Sequence, residues 1–396
     1  METLTEDVVS IAEWVQRAKS IAPVVQQYRD DSEQQRYMAQ PIFDAIRQIG
    51  INQMSVPRAF GGPQAEPLAQ LRVIEEIARQ DGSTGWNVLI WVGTGLFSDY
   101  LAEDVAQELF GNGQEIVIGG ALNPTAQARP VPGGLRVTGR WAFGSGYHYL
   151  TTLVAGCVVM DGEHPRMLDN GMPEMYVVLL SPSECEMIDT WHTAGLRGTG
   201  SHDFRAADVF VPMERAIPLS AFFVGPTARP STALRTPFYD FASTQIATVG
   251  LGIARDAIES FKSLASGKIP AIGTTSLGNL QTIQQRVGRA EALLRAARAY
   301  LFTTVEEVTS AHQAGSPVRD DDSADLRLAA AHAAQNAVEV VDLMFDAGGG
   351  SSIYATNRLE RCFRDVHMVP HHMMVSPLNV EMVGQYLLGG PLQVRR

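Results

Sequence analysis

The chain is predicted to be mainly α-helical with a central β domain, and two observations carry that expectation. Apolar residues recur at three- and four-residue spacing up to about residue 112 and again beyond about residue 238, which is the signature of amphipathic helices. Between about residues 115 and 212 the period becomes strand-like, with short β-rich runs separated by turn signals. A length of 396 residues suits two or three such units. The expected divisions are an N-terminal helical domain over 1–114, a β domain over 115–224 and a helical bundle over 225–396.

In the first unit Ile11, Trp14, Val15 and Ala18, then Ile42, Ile46 and Ile49, keep helical spacing. A loop from Pro57 to Pro67 follows, and Leu68, Leu71, Ile74, Ile77 and Ala78 line one face of the next helix, ending near Asp81-Gly82. The stretch from Thr84 to Tyr100 is apolar nearly all round and is expected as one buried helix; Leu101 to Leu109 forms a short one. In the middle, Ile116-Val117-Ile118, Leu135-Arg136-Val137, Leu153-Val154-Ala155, Met175 to Leu180 and Val209-Phe210-Val211 are separated by Pro132-Gly133-Gly134, Asp161-Gly162 and Gly198-Thr199-Gly200. That spacing suggests a small antiparallel barrel or sandwich. A Pro-containing connection, Gly225 to Pro237, leads to helices over Phe238 to Lys268, Leu277 to Ala314, Asp322 to Ala347 and Ser376 to Leu388. The first three are long enough for an antiparallel bundle.

Composition narrows the function. The 31 basic and 43 acidic residues leave a formal charge of −12, and the basic residues are scattered, so no nucleic-acid surface is expected. Three widely spaced cysteines, Cys157, Cys185 and Cys362, make neither a disulfide framework nor a zinc site. No run of about 18 apolar residues exists to span a membrane. The N-terminus, acidic and amphipathic, lacks the basic and apolar regions of a secretory signal. A cytoplasmic enzyme or binder is the expectation.

Four stretches carry chemistry. Asp81-Gly82-Ser83-Thr84-Gly85-Trp86 opens the apolar helix, and Gly139-Arg140-Trp141-Ala142-Phe143-Gly144-Ser145-Gly146 places small residues after aromatic ones, which lets backbone and a hydroxyl approach a flat ring. Gly195-Leu196-Arg197-Gly198-Thr199-Gly200-Ser201-His202-Asp203 is a second Gly-rich loop without a dinucleotide or P-loop fingerprint; Asp203 is expected to cap a turn or meet an Arg. Near the C-terminus, Arg364-Asp365-Val366-His367 runs on to His371-His372-Met373-Met374, three histidines within six residues. A metal site on these histidines is set aside, because Pro370 interrupts the helical spacing and no further ligand is evident.

In this order and spacing the four stretches resemble the acyl-CoA dehydrogenase superfold, and within it the reductase-dependent (two-component, group D) flavin monooxygenases. The resemblance covers nearly the whole chain. It implies an N-terminal helical domain, a β-barrel and a C-terminal four-helix bundle, with the flavin between β domain and bundle, close to a neighbouring subunit of a homotetramer. It implies that Ser145 sits beside the flavin's central ring with Trp141 and Phe143 as walls, and that Thr199 and Ser201 lie near the ribityl or phosphate end. Arg286 and Arg289, otherwise plain surface charges, and the Gly348-Gly349-Gly350 turn, otherwise a helix cap, are candidate cofactor contacts, Gly349 towards a neighbouring subunit.

The histidines separate two chemistries. Dehydrogenases of the superfold use a glutamate base, and one lineage has it after an Arg-Asp pair; here no Glu or Asp occurs between Asp365 and Glu381. Glu259 and Glu291 keep a bundle-borne base open. In the monooxygenase branch a His at this place partners substrate or peroxide, and an imidazole with an ordinary pKa of ~6.5 suits that work. His372 is the expected base or peroxide partner, His371 the runner-up, and His367 a structural partner of Asp365. Met368, Met373 and Met374 suit a dry enclosure, and Trp86, Trp91, His148 and Met373 are candidate substrate contacts. The resemblance thus implies hydroxylation of a phenol- or indole-like molecule by O₂ and reduced FMN or FAD, through a C4a-hydroperoxyflavin, with an NAD(P)H:flavin reductase as partner. The rivals are amine N-hydroxylation, acyl-CoA dehydrogenation and a non-catalytic flavin or acyl-ligand binder.

Overall fold

The computed structural model describes residues 9–111, 113, 115–226, 235–271 and 273–393. The first eight residues of the acidic N-terminus and positions 227–234 of the expected 225–237 connection lie outside the described residues.

The N-terminal helices are α1 (Ile11–Ser20), α2 (Ala22–Gln35), α3 (Gln40–Gln48), α4 (Pro67–Gln80), α5 (Gly82–Val92) and α6 (Glu103–Phe110). Proline in the first turn starts α2, α3 and α4, where its missing N–H costs nothing. Asp81 caps α5 by accepting the Thr84 N–H and hydroxyl, each at 2.9 Å. The expected helix over 84–100 is α5 plus a 3-10 stretch, Gly93–Tyr100. It breaks where Gly95 passes so close to the Ser55 backbone that a Cβ would lie 2.3 Å from the Ser55 carbonyl carbon.

The strands are β1 (Ile118–Val131), β2 (Gly134–Gly144), β3 (Thr152–Asp161), β4 (His164–Pro165), β5 (Met175–Leu180), β6 (Glu186–Ile188), β7 (His202–Pro212) and β8 (Ala216–Pro218). They lie in the order β6-β7-β2-β1-β3-β5-β8, with β4 on β3. The pairing is mixed, not wholly antiparallel as expected: β1 and β3 run parallel. After the β1–β2 hairpin the chain turns through Gly146 and the 3-10 turn Tyr147–Tyr149, passing to the far side of β1 instead of folding back on β2. That same turn carries Ser145.

After α7 (Ala221–Val224) come α8 (Phe238–Gly267), α9 (Gln281–Gln313), α10 (Asp320–Gly348), α11 (Arg358–Met368) and α12 (Leu378–Leu387). An alanine face of α10 (Ala330, Ala333, Ala334 and Ala337) is fully buried, and a Cβ added at Gly250 of α8 would lie 3.2 Å from the Ala337 methyl. Small side chains on both helices permit that approach. The buried Arg327 of α10 donates to buried Asp240 of α8 at 2.6 Å, and Ser323 donates to the other oxygen. No helix among the described residues is long and apolar enough to cross a membrane.

Candidate active site

Four segments converge around one hydroxyl. Helix α5 supplies Trp86 and Asn87, the β2–β3 turn supplies Phe143 to Gly146, the loop before β7 supplies Leu196 to Ser201, and the segment after α11 supplies His372. The two loops are stitched by the Gly146 N–H donating to the Thr199 carbonyl at 2.9 Å. Ser145 accepts the Trp86 indole N–H at 3.2 Å and lies 2.7 Å, oxygen to oxygen, from Ser201, which is 2.7 Å from the Thr199 hydroxyl. The Trp86 ring is also 5.9 Å, centre to centre, from the His372 imidazole. Trp86 therefore joins the serine turn to the C-terminal histidine segment, two motifs 227 residues apart in the chain, counting from Ser145 to His372.

The His372 ring is partly covered by protein, and burial pulls its pKa down to about 4. Its Nδ1 accepts the Met374 N–H at 3.3 Å. A neutral imidazole that accepts at Nδ1 carries its proton on Nε2, so near neutral pH the ring offers an N–H. His371 is exposed, Met373 is half-exposed and Met374 is buried. Contrary to the expectation from sequence, His367 does not partner Asp365: its Nδ1 meets the Phe363 carbonyl at 2.7 Å and its Nε2 lies 3.4 Å from Asp342. One turn of helix aims it back along α11. Asp365 points the other way, accepting the Leu196 N–H at 2.6 Å.

Several candidate walls belong to the core instead. Trp141 is 1% exposed, stacks on Phe204 and donates to the Gly156 carbonyl at 2.7 Å. An irregularity in the β2–β7 pairing between Trp141 and Gly144, with Phe143 at φ +68°, breaks the alternation that would keep both rings on one face and leaves Phe143 62% exposed. Trp91 is fully buried against Phe43 and Tyr149 and offers no surface to a ligand. His148 stacks on Tyr37 at 4.1 Å and meets His202 edge-on; burial, then His202, depress its pKa. Arg286 and Gly349 stand on the exposed surface of the bundle. Asp203 meets Arg140 at 2.6 Å, as expected. Thr199 and Ser201 are buried and bonded to one another.

Asp365 also bears on this site, and its place on the buried face of α11 is the signal. Leu359, Cys362 and Val366 form the buried face of α11, and Asp365 lies on it, 1% exposed. A carboxylate on an apolar stripe needs a dedicated partner. Burial first, then the negative charge of Asp81, raise its pKa to about 7. Asp81 behaves oppositely: burial alone would raise it, but Arg358, Arg361 and the Thr84 donors hold it low.

The residues present fit a flat, polar-edged cofactor. Exposed Phe143 stands beside Ser145, and the buried Asn87 Oδ1, whose amide nitrogen reaches the Gly198 carbonyl at 3.5 Å, has no hydrogen-bond partner. Such a group awaits a partner. Among the described residues no group of three or more His, Cys, Asp or Glu side chains could hold a metal ion.

Comparison with known proteins places this arrangement. Residues 5–109 match the family model of the acyl-CoA dehydrogenase N-terminal domain, and residues 244–377 that of the C-terminal domain. The chain is 32% identical over 357 residues to indole-3-acetate monooxygenase of Pseudomonas putida, covering 90% of this chain and 89% of the relative. It is 30% identical over 360 residues to the enzyme of the same name from Acinetobacter baumannii, covering 90% and 88%. The solved structure of XiaF from Streptomyces sp., in complex with FADH2 and glycerol, superposes with a TM-score of 0.89 at 23% identity, over 97% of both chains. With the serine turn and the C-terminal histidine joined through one tryptophan on this fold, the chain belongs to the flavin-dependent monooxygenases, oxygenase components of the acyl-CoA dehydrogenase superfold.

Proposed function

We propose that this enzyme hydroxylates an indole- or phenol-like small molecule at the face of Trp86 and His372, using O₂ and reduced FMN or FAD delivered by a separate NAD(P)H:flavin reductase. The bound flavin supplies the electrons that activate O₂. Ser145 and Phe143 would hold its ring system, and the Thr199–Ser201 loop would hold Ser145. Trp86 fixes the serine from behind and shares a wall with His372, which brings the oxidising and substrate sides of the reaction within one side chain of each other. That junction is the observation that carries the reading.

His372 acts here as a hydrogen-bond donor through Nε2–H. Burial lowers the ring's pKa to about 4, which favours the neutral imidazole with its N–H available near neutral pH over a role as base. The donor aligns the substrate oxygen or nitrogen, or the oxygen atom being delivered, and Met374 with the surrounding apolar residues limits water. Assembly as a homotetramer in the cytoplasm is part of the proposal; exposed Ile353, Tyr354, Leu387 and Leu388 suit contacts between copies, and Arg286 and Gly349 would meet a neighbour's cofactor.

Both bundle glutamates that the dehydrogenase alternative would use are paired with arginines. Glu259 pairs with Arg79 at 2.8 Å, and Glu291 is held between Arg255 and Arg295, each at 2.7 Å. Anaerobic loading of the purified protein with reduced FMN or FAD, followed by ¹⁸O₂ and an indole or phenol, tests the choice. One ¹⁸O atom in the aromatic product supports the proposal. No labelled product, together with bleaching of bound oxidised flavin by an acyl-CoA, would replace it with dehydrogenation.

A further inference from the structure

Each hydroxyl has one proton to give, and this fixes the sense of the chain behind Ser145. Thr199 donates to the Leu196 carbonyl at 2.8 Å, so its proton is spent. Its contact with Ser201, 2.7 Å, must then be a bond from Ser201 to Thr199. Ser201 in turn has no proton left for Ser145, so Ser145 donates to Ser201 across their 2.7 Å. Trp86, which can only donate, gives its N–H to Ser145. The sequence runs one way: Trp86, Ser145, Ser201, Thr199, Leu196 carbonyl. Ser145 is left with a lone pair and no proton for anything bound in front of it.

The far end is anchored. Leu196 sits in the left-handed region, φ +51° and ψ +35°, a backbone conformation that is strained for a non-glycine residue. Helix α11 holds it there from two sides: Asp365 accepts the Leu196 N–H at 2.6 Å, and Arg364 donates to the Ala194 carbonyl at 2.7 Å. The Leu196 carbonyl is thereby aimed at Thr199, with the Trp191 indole N–H on it as well at 3.1 Å.

We propose that Asp365 and Thr199 are positioning residues that make Ser145 an obligate acceptor, so that the site selects a flavin carrying hydrogen on its central-ring nitrogen over one presenting a lone pair there. The reduced ring has that N–H and the oxidised ring does not. This rests on the reading that Ser145 faces the flavin.

Anaerobic titrations of the whole protein with reduced and with oxidised FMN or FAD give two dissociation constants, and their ratio is the readout. Thr199→Val keeps the shape but removes the proton sink, freeing Ser201 and then Ser145 to reverse. The preference for reduced flavin is expected to fall about tenfold, to return in Thr199→Ser, to fall in Asp365→Ala and to persist in Asp365→Asn, which keeps an acceptor oxygen. A Thr199→Val ratio equal to wild type, in protein of native circular dichroism, overturns the proposal, and so does a wild type that binds both states equally. Should Asp365→Ala fail to fold, the two Thr199 variants decide alone. Wild type that binds neither flavin state would remove the flavin reading itself and this proposal with it.

Discussion

The rings of Trp86 and His372 lie 5.9 Å apart at an angle of 59°, while the Trp86 indole nitrogen reaches the Ser145 hydroxyl at 3.2 Å. One side chain thus serves two purposes, a wall and a donor, and substitution can separate them.

Trp86→Phe keeps an aromatic ring near His372 and removes only the N–H. Loss of one buried hydrogen bond of ordinary strength is worth ~1 kcal/mol, so kcat/KM is expected to fall about fivefold. The sharper measurement is a double-mutant cycle with Ser145→Ala. Because the two groups share a bond, their coupling is expected to be about 1 kcal/mol; additive effects would show that the indole acts on substrate alone.

For His372, Ala substitution is expected to lower kcat roughly 10²-fold with flavin affinity nearly unchanged. Gln, which carries an N–H donor to a similar reach, should recover part of the loss. Because burial lowers the folded pKa to about 4, the rate should show no His372-dependent inflection between pH 5 and 8. An inflection near pH 6.5 that vanishes in His372→Gln would reinstate the imidazole as a base. The linked stability has a definite sign: the group's contribution is complete above its unfolded pKa of ~6.5 and is lost as pH falls towards 4.

What the chain disclosed before folding follows from the range of each signal. Helical period is local, so α8, α9 and α10 were legible to within a few residues, and the Gly-rich loops announced themselves by composition. Strand partners are long-range: nothing local in Thr152–Asp161 says that it crosses β1 to pair in parallel. The same limit governs the site. Ser145 and His372 stand out as candidates by their local motifs, whereas the burial of Trp91 and Trp141 depends on which face the neighbouring elements cover. Local sequence pairs Asp365 with its neighbour His367, but its partner, the Leu196 N–H, lies 169 residues away.

Gly146 is one of the positions where the turn requires glycine. Its φ is +70°, and a Cβ there would lie 3.0 Å from the Trp91 indole nitrogen. Gly146→Ala is expected to cost roughly 1–2 kcal/mol for the left-handed backbone, with more from displacing a fully buried ring. Thermal denaturation should show the loss, and flavin affinity should fall with it because Ser145 is the preceding residue. An unchanged melting temperature would mean that the turn adopts another conformation.

Asp365 gives the enzyme a pH dependence opposite in sign to that of His372. Burial, then Asp81 and Glu33, raise the carboxyl to about 7, while the Leu196 N–H and Arg358 pull it down. A folded pKa above the unfolded ~3.9 means that its stabilising contribution is complete at low pH and is lost as pH rises through 7, where the folded chain must hold a buried negative charge. Asp365→Asn keeps an oxygen to accept the Leu196 N–H and never ionises. Its melting temperature relative to wild type is therefore expected to climb from pH 5.5 to about 7 and to level off by pH 8.5. A difference that stays flat across this range would show that Asp365 is ionised throughout, with Arg358 outweighing burial and Asp81.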